Sequence, residues 1–155
     1  MAAIRRILHA TDYSPASRPA LRTAIDLAKA LRGELVVVHV LSPVVVPVLA
    51  GEVYLPPATY DELERSARAA AQRHLDRVAQ QAKQAGARVS KRLIEGAPVA
   101  DRIVRAARAL RADLIVMGTH GRTGVTRVVL GSVATRVVAT ASCPVLTARA
   151  RSGRA

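Results

Sequence analysis

Aromatic side chains are nearly missing from this 155-residue chain, which has three tyrosines, no tryptophan and no phenylalanine. Half of the residues are still hydrophobic, so the core has to be assembled from Val, Leu, Ile and Ala. The shortage of flat rings also removes the usual platforms for stacking single-stranded nucleic acid. There is one cysteine, Cys143, and hence no internal disulfide, which fits a reducing cytoplasm. No run approaches the roughly 20 apolar residues that a membrane span needs. The amino terminus, MAAIRR, enters a strand-like run with no apolar signal region or cleavage site. Acidic residues are scarce, 11 against 24 basic, for a net charge of +13. That balance admits a nucleic-acid partner. The arginines, however, recur along helix-like stretches and form no single block, as expected of solvated helix faces, so nucleic acid is not the favoured partner. The compact basic cluster is the tail at 149–155, which reads as a frayed terminus.

The chain length suits one domain with a real core. Residues 4–10 read as a first strand, ended by TDYSP at 11–15. Ser14 before Pro15 marks a helix start, and apolar residues then recur at helical spacing from Ala20 to Leu31. Gly33 stops that helix as a residue tolerant of positive φ. The run 34–41, ELVVVHVL, is apolar nearly throughout, as in a parallel strand buried on both faces. A connection at 42–58, with four prolines and one glycine, is long enough to be a lid or a partner surface. Thr59 with Glu62 forms a capping box for a second helix, which Gly86 ends. Residues 87–94 alternate in polarity and read as a strand at or near a sheet edge. A third helix starts at Val99, a fourth strand covers 113–117, a fourth helix 132–141 and a fifth strand 144–147. No internal repeat or linker is evident. The order βαβαβαβαβ predicts an α/β fold, a single three-layer α/β/α sandwich. Its five-stranded parallel sheet would have Rossmann-like order 3-2-1-4-5, in residues 1–148.

Four of the nine glycines lie in one segment, GTHGRTGVTRVVLGS at 118–132: Gly118, Gly121, Gly124 and Gly131. With that strand order, the loop after strand 1 and the loop after strand 4 meet where the order reverses, which is where such folds bind ligands. The segment's chemistry suits an anion. Glycines let backbone N–H groups approach phosphate oxygens. The helix opened by Gly131 and Ser132 presents free N–H groups and a positive dipole end. Ser132 adds a hydroxyl, and Arg122 and Arg127 add charge. The P-loop, the Gly-x-Gly-x-x-Gly fingerprint and the Gly-x-Ser-x-Gly elbow are all absent. No histidine pairs with another at metal-ligand spacing, and no Ser-His-Asp or Cys-His set is present. Several residues have two readings. Asp12 either contacts a ligand or caps local N–H groups. His120 either touches a phosphate or is simply exposed. Cys143 either packs at a strand start or acts as a nucleophile, with packing favoured. His9 and His39 read as packed strand residues.

Gly118-x-x-Gly121, nine residues, then Gly131-Ser132 resembles the ATP-binding signature of the universal stress protein family. The segments ATDYS at 10–14, DLIVMGTHG at 113–121, GSVA at 131–134 and CPV at 143–145 extend the resemblance over residues 4–148. It implies a homodimer formed by antiparallel pairing of the last strands, here Val145, Leu146 and Thr147. It also implies ATP binding. Thr11, Asp12 and Val40 would surround ribose and adenine, and Met117 and Gly118 would lie near the nucleoside. Gly121, Gly131, Ser132 and Val133 would hold the phosphates, with His120, Arg122 and Arg127 as further phosphate contacts. Asp12 would bind ribose or help to hold Mg²⁺. The function implied is a cytoplasmic, nucleotide-dependent regulatory or protective dimer of the stress response. A slow ATPase and a basic interaction module that uses no nucleotide are the alternatives.

Overall fold

The computed structural model describes residues 3–45, 55–120 and 130–149. The strands are β1 (Arg6–Ala10), β2 (Glu34–Leu41), β3 (Arg88–Glu95), β4 (Leu114–Gly118) and β5 (Val145–Ala148). The helices are α1 (Arg18–Ala30), α2 (Pro57–Gln84), α3 (Val99–Ala109) and α4 (Ser132–Thr140). The sheet order is β3-β2-β1-β4-β5, and every pairing is parallel. The expected α/β/α sandwich is therefore observed.

The alternation of side chains along each strand divides the core in two. Ile7, Leu35, Val37 and Val116 face one layer, with Ala20, Leu21, Ala24, Ile25 and Ala28 of α1 and Leu75 of α2. Leu8, Val36, Val38 and Ile115 face the other, with Ile103 and Val104 of α3 and Val137 of α4. The six central residues of β2 are all buried, as its unbroken apolar run predicts. β3, whose polarity alternates, lies at the sheet edge.

Local signals are corrected in three places. Ser14 caps nothing with its side chain. A single 3₁₀ turn, Pro15–Ser17, precedes α1, and the Ser14 hydroxyl donates to Asp12 instead. The capping box at Thr59 is not used either. α2 begins two residues earlier, at Pro57, and the Pro56 carbonyl accepts the Thr59 and Tyr60 N–H groups. Proline at the first helical position loses no hydrogen bond, so this start outcompetes the threonine. Gly86 has φ +91° and ends α2 as expected, but Gly33 does not take positive φ; its neighbour Arg32 does, at 52°. Glycine is required at 33 for closeness, because a Cβ there would lie 2.9 Å from the Arg5 carbonyl oxygen.

Gly33→Ala forces that backbone contact apart and should lower stability by about 1–3 kcal/mol, read as a reduced urea midpoint at unchanged slope. His9 is fully buried and donates from Nδ1–H to the Val116 carbonyl at 3.0 Å, while its Nε2 has no partner among the described residues. Burial lowers its pKa from 6.5 to about 4, although the Val116 bond and the Asp12 charge act the other way. The folded state thus takes up this proton less readily than the unfolded chain. Its contribution is complete above about pH 6.5 and is lost progressively down to about pH 4, roughly 3 kcal/mol in all. Urea titrations of His9→Asn, which keeps an N–H donor but cannot ionise, should show a flatter acid limb than the parent.

Candidate functional site

The strand order reverses between β1 and β4, and the crevice opens beyond their carboxyl ends. A cavity of about 450 Å³ lies there. From the β1–β2 side it is lined by Thr11, Asp12, His39 and Val40. From the β4 side come Met117, Gly118, Thr119 and His120, and from the start of α4 Gly131, Ser132 and Val133. Val99 and Ile103, one turn apart on α3, add an apolar wall. The expected residues Thr11, Asp12, Val40, Met117, Gly118, His120, Gly131, Ser132 and Val133 are thus brought together. Gly121, Gly124, Arg122 and Arg127 lie outside the described residues. So does much of the 42–58 connection. Its described part brings Ser42 to the cavity wall, and the Tyr60 hydroxyl donates to the Val44 carbonyl at 3.0 Å.

The two ends of the glycine segment are tied together. The Gly131 N–H donates to the Thr119 carbonyl at 2.8 Å, and the Thr119 N–H donates to the Ala148 carbonyl at 3.2 Å. Gly131 is the N-cap of α4 and Ser132 its first helical residue. The N–H groups of Ser132, Val133 and Ala134 precede the first intrahelical bond, which runs from Thr135 N–H to the Gly131 carbonyl at 2.9 Å. All three residues line the cavity, so the positive end of the helix is presented to it. His120 Nδ1 lies 3.0 Å from the Thr119 hydroxyl, while its Nε2 is buried without a partner among the described residues. Gly118 has a packing role: a Cβ would lie 3.2 Å from the Ala16 carbonyl oxygen in the 3₁₀ turn.

The opposite wall is a short, highly constrained loop. The Asp12 carboxylate accepts from the Ser14 N–H at 3.0 Å and the Ser14 hydroxyl at 2.6 Å, both at Oδ1. The local-capping role of Asp12 is therefore real, and it holds the side chain at the cavity. Tyr13 adopts φ +64°, a genuine outlier for a bulky residue. Its ring stacks with His39, at 4.1 Å between centroids, and with His74 of α2, at 5.1 Å. Its hydroxyl donates to the Ala71 carbonyl at 2.9 Å. The His39 Nδ1–H donates to the Thr11 carbonyl at 2.8 Å, which fixes its tautomer because a carbonyl only accepts. Sequence reasoning placed His39 in the core and gave Tyr13 and His74 no role. Nothing in their spacing along the chain, 13, 39 and 74, signals that they stack.

Cys143 is half-buried, and burial pushes its thiol pKa up, which fits a packed residue better than a nucleophile. Among the described residues no group of three acidic, histidine or cysteine side chains is placed to hold a metal, and no helix is long and apolar enough to cross a membrane.

The universal stress protein family model matches residues 3–149. A universal stress protein of Methanocaldococcus jannaschii is 36% identical over 143 residues, covering 92% of this chain and 80% of its own length. A universal stress protein solved in complex with cAMP superposes with a TM-score of 0.68 at 25% identity, covering 96% of this chain and 98% of that one. The universal stress protein from Archaeoglobus fulgidus in complex with dAMP gives a TM-score of 0.66 at 25% identity, covering 96% and 100%. The sheet order, the site of the cavity and the family model agree: the chain belongs to the universal stress protein family.

Proposed function

We propose that this protein binds an adenine nucleotide, ATP foremost, in the cavity between β1 and β4. We further propose that it works in the cytoplasm as a nucleotide-dependent regulatory or protective dimer of the stress response. The observation that carries the reading is the convergence, in one cavity, of an apolar wall and the three N–H groups that open α4. Its volume is in the range of small-molecule sites. The cAMP and dAMP complexes of two relatives support the choice of an adenine ligand.

In this reading Val40, Val99 and Met117 bury the base. Thr11 and Asp12 face the ribose. Gly131, Ser132 and Val133 hold phosphate oxygens through N–H groups and the Ser132 hydroxyl. His120, at the cavity wall, is a further contact to the same phosphates, and Gly121, Arg122 and Arg127 complete the phosphate site. Mg²⁺ would arrive with the phosphates, since it commonly binds through one or two carboxylates plus substrate oxygens. Asp12 is the carboxylate at the cavity, and its Oδ1 already accepts two hydrogen bonds, which suits an acceptor that positions more than a base that abstracts. Dimerisation would use β5, an edge strand whose four residues are all half-buried. An unpaired edge is a template for a second strand, here antiparallel pairing of Val145, Leu146 and Thr147 with their copies.

Calorimetry with millimolar ATP should detect binding, and an inert titration would remove the nucleotide reading. Gly131 has φ −61° and ψ 158°, a conformation valine adopts without strain. Gly131→Val should therefore be compatible with the backbone yet lose at least about tenfold in affinity, since it adds bulk at the N-cap beside the proposed phosphate site. Tyr13→Gly keeps the left-handed backbone but removes the stack and the Ala71 bond. It should weaken ATP binding and speed amide exchange at Ser14, whereas Tyr13→Phe should lose less of both.

A further inference from the structure

The arginines that look scattered in sequence are gathered by the fold at the end of the sheet opposite the cavity. Three helix-to-strand turns lie there and share one hydrogen-bond pattern. After α1, Arg32 N–H reaches the Lys29 carbonyl at 3.2 Å and Gly33 N–H the Ala28 carbonyl at 2.9 Å. After α2, the pairs are Gly86 to Lys83 at 3.0 Å and Ala87 to Ala82 at 3.2 Å. After α3, they are Arg111 to Arg108 at 3.0 Å and Ala112 to Ala107 at 2.8 Å. The middle residue of each turn has positive φ: 52° at Arg32, 91° at Gly86 and 51° at Arg111. Glycine fills that position at no steric cost, and arginine fills it against one. The first and third turns even share a short sequence, ALRGEL at 30–35 and ALRADL at 109–114. Strain kept twice, at equivalent places, points to a use for the side chain.

Both strained arginines join one cluster. Glu34 N–H donates to the Arg5 carbonyl and Asp113 N–H to the Arg6 carbonyl, which brings both turns to the start of β1. The Arg88 guanidinium donates to the Arg32 carbonyl at 2.9 Å. α1 and α3 pack on opposite faces of the sheet, so Arg32 and Arg111 flank its end from two sides. Arg5, Lys29, Arg32, Arg88, Arg108 and Arg111 are all exposed, and none is in an ion pair among the described residues. Two acids at these turns are engaged internally. Glu34 binds Arg6 and Ser90 and also feels the charge of Arg88, and Asp113 accepts the N–H groups of Arg5 and Arg6. Asp26 lies one turn before Lys29 on α1. Lys29 and Arg108 occupy last helical turns, where a cation offsets the dipole. The other four lie outside the helices and have no such explanation.

We propose that this end of the molecule binds the phosphate backbone of a nucleic-acid duplex without reading its sequence. Guanidinium forks match phosphate oxygens in pairs. Among the described residues no aromatic side chain belongs to the cluster, which disfavours single strands. Leu31 is its one exposed large hydrophobic among the described residues, too little to anchor in a lipid surface. The starts of β3 and β4 are three strand spacings apart, about 14 Å. That is close to the roughly 12 Å width of a major groove, so the two turns at those strand starts are spaced to face both of its rims.

The test uses the full chain, a short labelled DNA duplex of mixed sequence and fluorescence anisotropy across a salt series. The parent should bind with a steep salt dependence. Arg32→Gly with Arg111→Gly should weaken binding at least tenfold at low salt and reduce the log–log salt slope by about 1.8, about 0.9 for each phosphate no longer neutralised. Glycine suits both turns, so the thermal midpoint should be unchanged or higher, and a loss of binding cannot be ascribed to unfolding. Arg18→Gln with Arg22→Gln removes the same charge at the start of α1, away from the cluster, and should leave the slope at the parent value. Unaltered binding by the glycine pair overturns the proposal, as does an equal loss in the charge-matched control. Binding of phosphatidylserine vesicles with no binding of duplex overturns it as well. ATP calorimetry on the glycine pair should match the parent, which separates this face from the cavity.

Discussion

β1 pairs in parallel along both of its edges, with β2 on one side and β4 on the other, and the cavity depends on that arrangement. The chain builds outward from β1 through β2 to β3 and must then return to the vacant edge of β1. Because crossovers are right-handed, the return places α3 and α4 on the face opposite α1 and α2. The connections at the carboxyl ends of β1 and β4 therefore leave in opposite directions. The gap between them is walled by two loops and floored by α3. A parallel sheet buried on both faces has to be apolar within its strands, so polar chemistry is confined to strand ends. The residues that line the crevice at Thr11, Asp12 and Gly118 are the first ones past the apolar runs of their strands, or nearly so.

The two walls reach rigidity by different means. On the β4 side, backbone hydrogen bonds among Thr119, Gly131 and Ala148 clamp the neck of the glycine segment. On the β1 side the clamp is made of side chains, and it uses one of the three tyrosines in the chain. Tyr13 is forced into left-handed backbone geometry, a cost of about 1–2 kcal/mol. The stack with His39 and His74 and the bond to the Ala71 carbonyl offset that cost. The same contacts connect the loop to α2, so this wall cannot shift without disturbing a helix packed on the sheet.

The two ends of the sheet differ in electrostatic character for a reason built into parallel topology. The helices α1 to α4 run antiparallel to the strands they cover. Their amino ends point toward the cavity side and their carboxyl ends toward the opposite side. The first attracts anions through the N–H groups of opening helical turns. The second would repel them through carbonyls, and here it carries a dense set of arginines. Glu34 illustrates how acids fare at that end: its hydrogen bond from Ser90, more than its contact with Arg6, holds its carboxyl below the usual range, and it is used inside the structure. The positive charge left over is exposed.

Much of the architecture was legible from the chain alone, because it rests on short-range signals. The apolar run of β2, the alternation of β3 and the helical spacing of α1 each report local burial; the alternation of strands and helices gives a parallel sheet, and the order 3-2-1-4-5 was one of the few that right-handed crossovers allow. The nine expected residues that the structure describes line the cavity; they were placed by the resemblance of the glycine segment and the TDYS loop to a known family, not by periodicity. Three things required the tertiary structure. Helix starts were decided by competition between neighbouring caps, so proline displaced the threonine box at α2. Glycine at 33 was demanded by the Arg5 carbonyl, a partner 28 residues away that no local pattern reveals. The Tyr13 stack and the arginine cluster join residues far apart in sequence. Periodicity tells which face of an element is buried; only the packing of one element on another decides which exposed ends become neighbours.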